Sequence, residues 1–148
     1  RKKKGAEQVV NLSKRELFLV GLGLYWGEGY KEGSKEFGFT NSDPGMITFY
    51  IKWLRTCFDV TKEDLILRVS INSLHKDREK EILYFWSSLT GVDLENFTKT
   101  SFIKSKLQKV YENSENYYGT LRVKVRKGFY LKQEVLGALE KIGYKIKD

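Results

Sequence analysis

The segment Gly21-Leu22-Gly23-Leu24-Tyr25-Trp26-Gly27-Glu28-Gly29 packs three glycines into seven residues and then presents a carboxylate. Its spacing follows a helix, and a glycine inside a helix costs about 1 kcal/mol relative to alanine. Something must therefore compensate. Gly23 and Gly27 are four apart and share one face, so they admit close approach of a second backbone. Gly21 lies off that face and suits an adjoining contact. Glu28 falls at the C-terminal end of the helix, where the dipole disfavours negative charge. A metal ion or a basic side chain would offset it. A tight helix crossing within the chain, with Glu28 simply solvated, satisfies the same pattern.

Two strand patterns offer a different chemistry. Thr120, Arg122, Lys124 and Arg126 alternate with Leu121, Val123 and Val125, and Arg68, Ser70 and Asn72 alternate with Leu67, Val69 and Ile71. Each strand should bury one face and expose the other. If the two are neighbours in one sheet, the polar face suits a DNA major groove, with arginine and asparagine reading base edges and lysine contacting phosphate. An ordinary solvated sheet face has the same composition. The charge balance favours a polyanion: 27 Lys and Arg against 19 Asp and Glu, a net +8 and a pI near 9.4. Nucleic acid is the leading partner for such a chain, and basic sheets also bind RNA.

Other chemistries lack their residues. One cysteine, Cys57, excludes an intramolecular disulfide and points to a reducing cytoplasm. With a single histidine, His75, it gives no ligand set for a zinc finger or zinc hydrolase. Cys57 has no histidine to spare as an activating base, and His75 reads as a surface or phosphate-contact residue. No G-x-x-x-x-G-K-S/T loop is present, and no small-molecule cofactor is expected. Tyr117 and Tyr118 read as packing between loop and strand, and Trp26, Trp53 and Trp86 as core anchors. The apolar run from Leu17 to Gly27 is too short to span a membrane, and Arg1 to Lys4 has no apolar stretch behind it. The chain begins at Arg1, which is compatible with removal of an upstream segment.

The elements that position these residues can be read from periodicity. At 148 residues the chain suits one domain. Residues 1–11 read as a basic, flexible N-terminal segment and 12–148 as a single α+β domain. Ser13 and Glu16 form a capping-box pattern that opens a helix ending near Glu28. Phe37 and Phe39 alternate in a short strand. Asp43 and Pro44 open a second helix, with Ile47, Tyr50, Ile51, Leu54 and Phe58 at helical spacing. A strand over 65–74 follows, then a helix over 77–90 stopped by Gly91. Residues 93–116 read as a polar loop with a short strand near Phe102. A strand over 119–127 leads to a final helix over 131–142, with Gly143 as its stop.

In this context Gly23-Leu24-Tyr25-Trp26-Gly27-Glu28-Gly29 resembles the G-F-I-D-G-E-G form of the LAGLIDADG homing endonuclease motif. The element order also resembles that family's αββαββα core with its saddle-shaped antiparallel sheet, over roughly residues 12–142. The resemblance implies a site-specific endonuclease for double-stranded DNA. One motif per chain implies a homodimer packed through Gly21, Gly23, Leu24 and Gly27. Glu28 from each subunit, with the main-chain carbonyl of Gly27, would hold Mg²⁺ or another divalent cation such as Mn²⁺ or Ca²⁺. By family position, Asn41 would orient the water, and Arg126 or Lys127 would neutralise the scissile phosphate, with Lys104 an alternative. DNA contacts are implied for Lys31, Ser34, Lys35 and Thr40 around the first hairpin. They join Arg68, Ser70, Asn72, Lys104, Thr120, Arg122, Lys124 and Arg126. The chain departs from the family in two places: Trp26 replaces the first acid of the motif, and the stretch from Gly29 to Asn41 is short for the first hairpin. Both departures suit the alternative of a non-catalytic, DNA-binding transcription regulator on the same scaffold.

Overall fold

The computed structural model describes residues 1–30, 33–104 and 114–145. Its elements in order are α1 (Lys2–Ala6), α2 (Lys14–Glu28), β1 (Phe37–Asn41), α3 (Pro44–Phe58), β2 (Leu65–Asn72), α4 (Glu79–Thr90), β3 (Ser101–Ile103), β4 (Thr120–Val125) and α5 (Phe129–Lys145). The fold class is α+β, as expected from the sequence.

The helix ends form where their side chains dictate. The Ser13 hydroxyl accepts from the Glu16 amide at 3.2 Å, and the Ser13 amide donates to the Glu16 carboxylate at 2.8 Å. This reciprocal box satisfies two otherwise orphaned donors of α2. The Asp43 carboxylate accepts from the amides of Gly45 and Met46, and Pro44 fills the first turn of α3, where its missing N–H costs nothing. Gly91, at φ +65°, ends α4 in the left-handed conformation.

The strands form one sheet in the order β1-β4-β2-β3. The central β4 runs antiparallel to both β1 and β2. The edge pair β2–β3 is parallel, which corrects the expectation of a wholly antiparallel sheet. The reason lies in the connection: α4 intervenes between β2 and β3, and a crossover of this length returns the chain in the same direction.

Every apolar strand residue singled out above faces the helices. Phe37, Phe39, Leu65, Leu67, Val69, Ile71, Leu121, Val123 and Val125 join Leu17, Leu22, Tyr25, Trp53, Leu54, Trp86 and Val135 in one buried cluster. The helices thus cover one face of the sheet, and among the described residues no helix packs on the other.

Two expectations are corrected. Trp26 is not a core anchor: it is 46% exposed, whereas Trp53 and Trp86 are fully buried. Gly143 does not stop α5, which continues to Lys145, because no left-handed conformation is adopted there. The N-terminal segment contains the short helix α1, although none of its residues is buried. Among the described residues, no helix is long and apolar enough to cross a membrane.

Candidate nucleic-acid interface

The open face of the sheet is built by the alternation of β2 and β4. Cross-strand register sets Thr40 of β1 opposite Arg122, and Arg122 opposite Arg68 of β2. Ser70 lies opposite both Thr120 and Ser101. The sheet therefore carries a row Thr40–Arg122–Arg68 beside a hydroxyl row Thr120–Ser70–Ser101. Two guanidinium side chains in directly opposed positions repel one another. The Nε atoms of Arg68 and Arg122 are both buried and have no hydrogen-bond partner among the described residues. An anion or a base-edge acceptor against this row would relieve the repulsion between the two guanidinium groups.

The rest of the face is tied down. Lys124 donates to the Glu36 carboxylate, and this bond holds the Glu36 carboxyl below its ordinary range. Tyr30, missed by sequence reasoning, hydrogen-bonds Thr40 through its hydroxyl at 2.8 Å. Its ring lies over Gly38, where a Cβ would come within 2.8 Å of it. Glycine in a strand marks such an approach, and that was the available signal. Lys132 was also missed. It is 2% exposed, and its ammonium donates to the Ser34 carbonyl at 2.5 Å, joining α5 to the turn before β1. A lysine in an otherwise ordinary helix face gives no sequence signal of burial.

The other expected contact residues are dispersed. Ser34, Lys35 and Lys104 are exposed, and Lys31 lies outside the described residues. Asn72 accepts from the Leu74 amide and caps the turn after β2. Arg126 is not part of β4. It follows the strand, is exposed, and its amide donates to the Asp64 carbonyl at 2.7 Å.

The glycines of α2 divide into two groups. Gly21 is buried, and a Cβ there would fall 2.1 Å from the Trp53 ring. Its close approach is therefore to α3 of its own chain, which corrects its expected place in a subunit interface. Leu24 is half-buried and packs partly on the core. A Cβ at Gly23 or Gly27 would meet no described atom within 4 Å. These two glycines share the outer face with Leu19, Val20 and Trp26, which are 43%, 49% and 46% exposed. Glu28 ends the helix beside this face, about 100° round the axis from Gly27, exposed, with no hydrogen bond or ion pair to any described residue.

The expected catalytic residues do not converge within one chain. Gly29 bridges Phe39, which holds the end of α2 beside β1, and the Tyr25 hydroxyl secures that end by donating to the Tyr30 carbonyl at 2.6 Å. Asn41 lies opposite Leu121, whereas Arg126 and Lys127 follow Val125, which is itself about 14 Å away at a strand's rise per residue. The Asn41 amide oxygen is engaged by the Asp43 amide at 2.8 Å. No group of three or more metal-ligating side chains occurs among the described residues. Glu28 with the Gly27 carbonyl is an oxygen-only donor set that suits a hard divalent cation, and one carboxylate per chain needs a second source of ligands.

The secondary candidates behave as packing residues. The Tyr118 ring stacks on Phe85 at 3.7 Å, and its carbonyl accepts from the Trp86 indole at 2.9 Å. His75 packs against the Tyr117 ring. Burial pushes the Cys57 thiol above its ordinary pKa, opposite to the activation a nucleophile requires.

Comparison with protein-family models, with curated proteins and with solved structures gives no match.

Proposed function

We propose that the chain is one subunit of a LAGLIDADG-like homodimer that binds double-stranded DNA on the open sheet face and cleaves it with a divalent cation held between two Glu28 carboxylates. The observation that carries this reading is the outer face of α2. Leu19, Val20, Gly23, Trp26 and Gly27 form an apolar, glycine-bearing stripe that nothing in the described chain covers, and the helix that bears it ends on a carboxylate with no partner among the described residues. A helix apolar on both sides is normally buried on both. A second copy of α2 crossing at Gly23 and Gly27 would bury the stripe and bring the two Glu28 side chains together.

The Gly29 bridge to Phe39 adds a second short strand segment after α2, in keeping with the first ββ pair of the αββαββα order, but α4 and β3 are inserted between the antiparallel partners β2 and β4, where that order has a direct connection. The opposed Arg68 and Arg122, with Thr40, Ser70 and Thr120, support a DNA-reading face. Mg²⁺ or a similar cation, when bound, lowers the pKa of a water and offsets charge developing at phosphorus. The chain's own part is to supply Glu28 and the Gly27 carbonyl from each subunit, and to hold the backbone phosphates in place through its basic side chains.

The second reading is a DNA-binding transcription regulator without cleavage. It is favoured by the engagement of Asn41 with Asp43, by its distance from Arg126, and by Trp26 at the motif's first acidic position.

Selection from a randomised duplex library with Mg²⁺, run in parallel with Glu28→Gln, tests both. Recurrent cut ends that disappear in Glu28→Gln establish the nuclease. The same uncut sequence enriched by both proteins establishes the regulator. Recovery of no duplex by either protein overturns both readings.

A further inference from the structure

Beyond the sheet face, the junction of β4 and α5 exposes an aromatic pair beside a cluster of cations. Phe129 is 44% exposed and Tyr130 83% exposed, with their rings edge-to-face at 5.7 Å between centroids. A cleft of about 240 Å³ runs beside Phe129 and is lined by Lys35, Lys124, Arg126 and Lys127, with Glu36 its one carboxylate. Glu36 is already engaged by Lys124. The backbone here is sharply constrained. Lys127 is held at φ +54°, an uncommon value for a residue other than glycine. At Gly128 a Cβ would come within 2.8 Å of Phe37, and the Gly128 amide and carbonyl bond Val125 and Lys132. This turn therefore fixes where the exposed rings stand relative to the basic side chains.

We propose that this junction binds an unpaired nucleotide, with the base stacked on Phe129 or Tyr130 and the flanking phosphates at Arg126, Lys127 and Lys35. Charge and ring chemistry together select this ligand. An exposed apolar pair alone would suit any partner, but cations on one side of solvent-facing rings match the alternation of base and phosphate in a single strand. Duplex DNA keeps its base faces stacked and cannot offer them to these rings. The site rests on the proposed function for its nucleic-acid partner and draws on Lys35, Arg126 and Lys127, which are also expected duplex contacts; what is new is the ring pair Phe129 and Tyr130, which is no part of the Arg68–Arg122 row.

The test is fluorescence anisotropy of the intact chain with four labelled probes of equal length: oligo-dT, oligo-U, an abasic deoxy strand and a duplex. Wild type should bind oligo-dT about tenfold more tightly than the abasic strand, because the phosphates are the same and only the bases differ. The double variant Phe129→Ala/Tyr130→Ala should erase that difference and leave duplex affinity and thermal melting unchanged. Tyr130→Phe, which keeps the ring, should retain it. Adding an oligo-dU arm and comparing it with oligo-U assigns the sugar, because the base is then the same. Equal binding of oligo-dT and the abasic strand by wild type, or an undiminished preference in the double variant, overturns the proposal. Loss of duplex binding by wild type, with the single-strand preference intact, would overturn the sheet reading while supporting this one.

Discussion

The two faces of α2 make opposite use of the same residue type. On the inner face, Gly21 is filled by its own chain: the Trp53 ring occupies the space a side chain would take. Leu17, Leu22 and Tyr25 flank it in the core. On the outer face, a Cβ at Gly23 or Gly27 would meet no described atom within 4 Å, and Leu19, Val20 and Trp26 are about half exposed. Both faces bear the helical cost of glycine, but only the inner one has its compensation within the described chain. The difference teaches that one glycine run can hold two independent faces, one used by the fold and one left for the proposed partner copy.

The largest expected effect breaks the inner face. Gly21→Leu must displace Trp53 from the core, and overpacking of this kind costs about 1–3 kcal/mol or more. Chemical denaturation should show a clear fall in the unfolding midpoint. A midpoint equal to wild type would mean that Gly21 is not held against Trp53.

Next comes the outer face. Gly23→Leu should leave the fold intact by circular dichroism and convert a dimer to a monomer in sedimentation. Gly23→Ala adds a second constraint: if no partner occupies that face, alanine should stabilise the chain by about 1 kcal/mol through helix propensity alone.

The sheet face gives an intermediate effect. Removing one arginine of a base-reading pair costs about 1–3 kcal/mol. Arg68→Ala and Arg122→Ala should each weaken duplex binding by at least about fivefold, an effect of that size. Removing either guanidinium also relieves the like-charge opposition, so the unfolding midpoint should hold steady or rise. A lowered midpoint with unchanged DNA affinity would reassign the pair to the fold.

The smallest effect concerns pH. Lys124 lowers the Glu36 pKa in the folded state. Its stabilising contribution is therefore present above the ordinary carboxylate pKa and is lost as pH falls through the lowered folded value. Glu36 is 46% exposed, so solvent screening keeps this small. Comparison of Glu36→Gln with wild type across acidic pH should show curves that converge as the acid limit is approached.

Much of the frame was legible because it rests on local chemistry. Ser13 with Glu16, Asp43 with Pro44, and Gly91 each mark a helix end by a bond the neighbouring backbone requires. The alternation of Leu121, Val123 and Val125 with polar residues fixes which side of β4 is buried. Contacts distant in sequence were not legible. Periodicity sets Gly21 off the face of Gly23 and Gly27, but it cannot show that Trp53 fills the space beside Gly21 while the other two stay open. It cannot show that Arg68 opposes Arg122, because register is set by the whole sheet. Nor does it reveal the parallel β2–β3 pair, the burial of Lys132, or the separation of Asn41 from Arg126. Trp26 was misplaced for a related reason: an aromatic residue on an apolar helix reads as core whether the facing surface belongs to the same chain or to another.

The central claim is that the outer face of α2 is completed by a second copy of the chain. Sedimentation equilibrium of wild type and Gly23→Leu at micromolar concentration tests it most directly. The account predicts wild type at twice the 17.3 kDa chain mass and the variant at the single mass, with the same circular dichroism. Wild type sedimenting as a monomer, or a variant that stays fully dimeric, would contradict it.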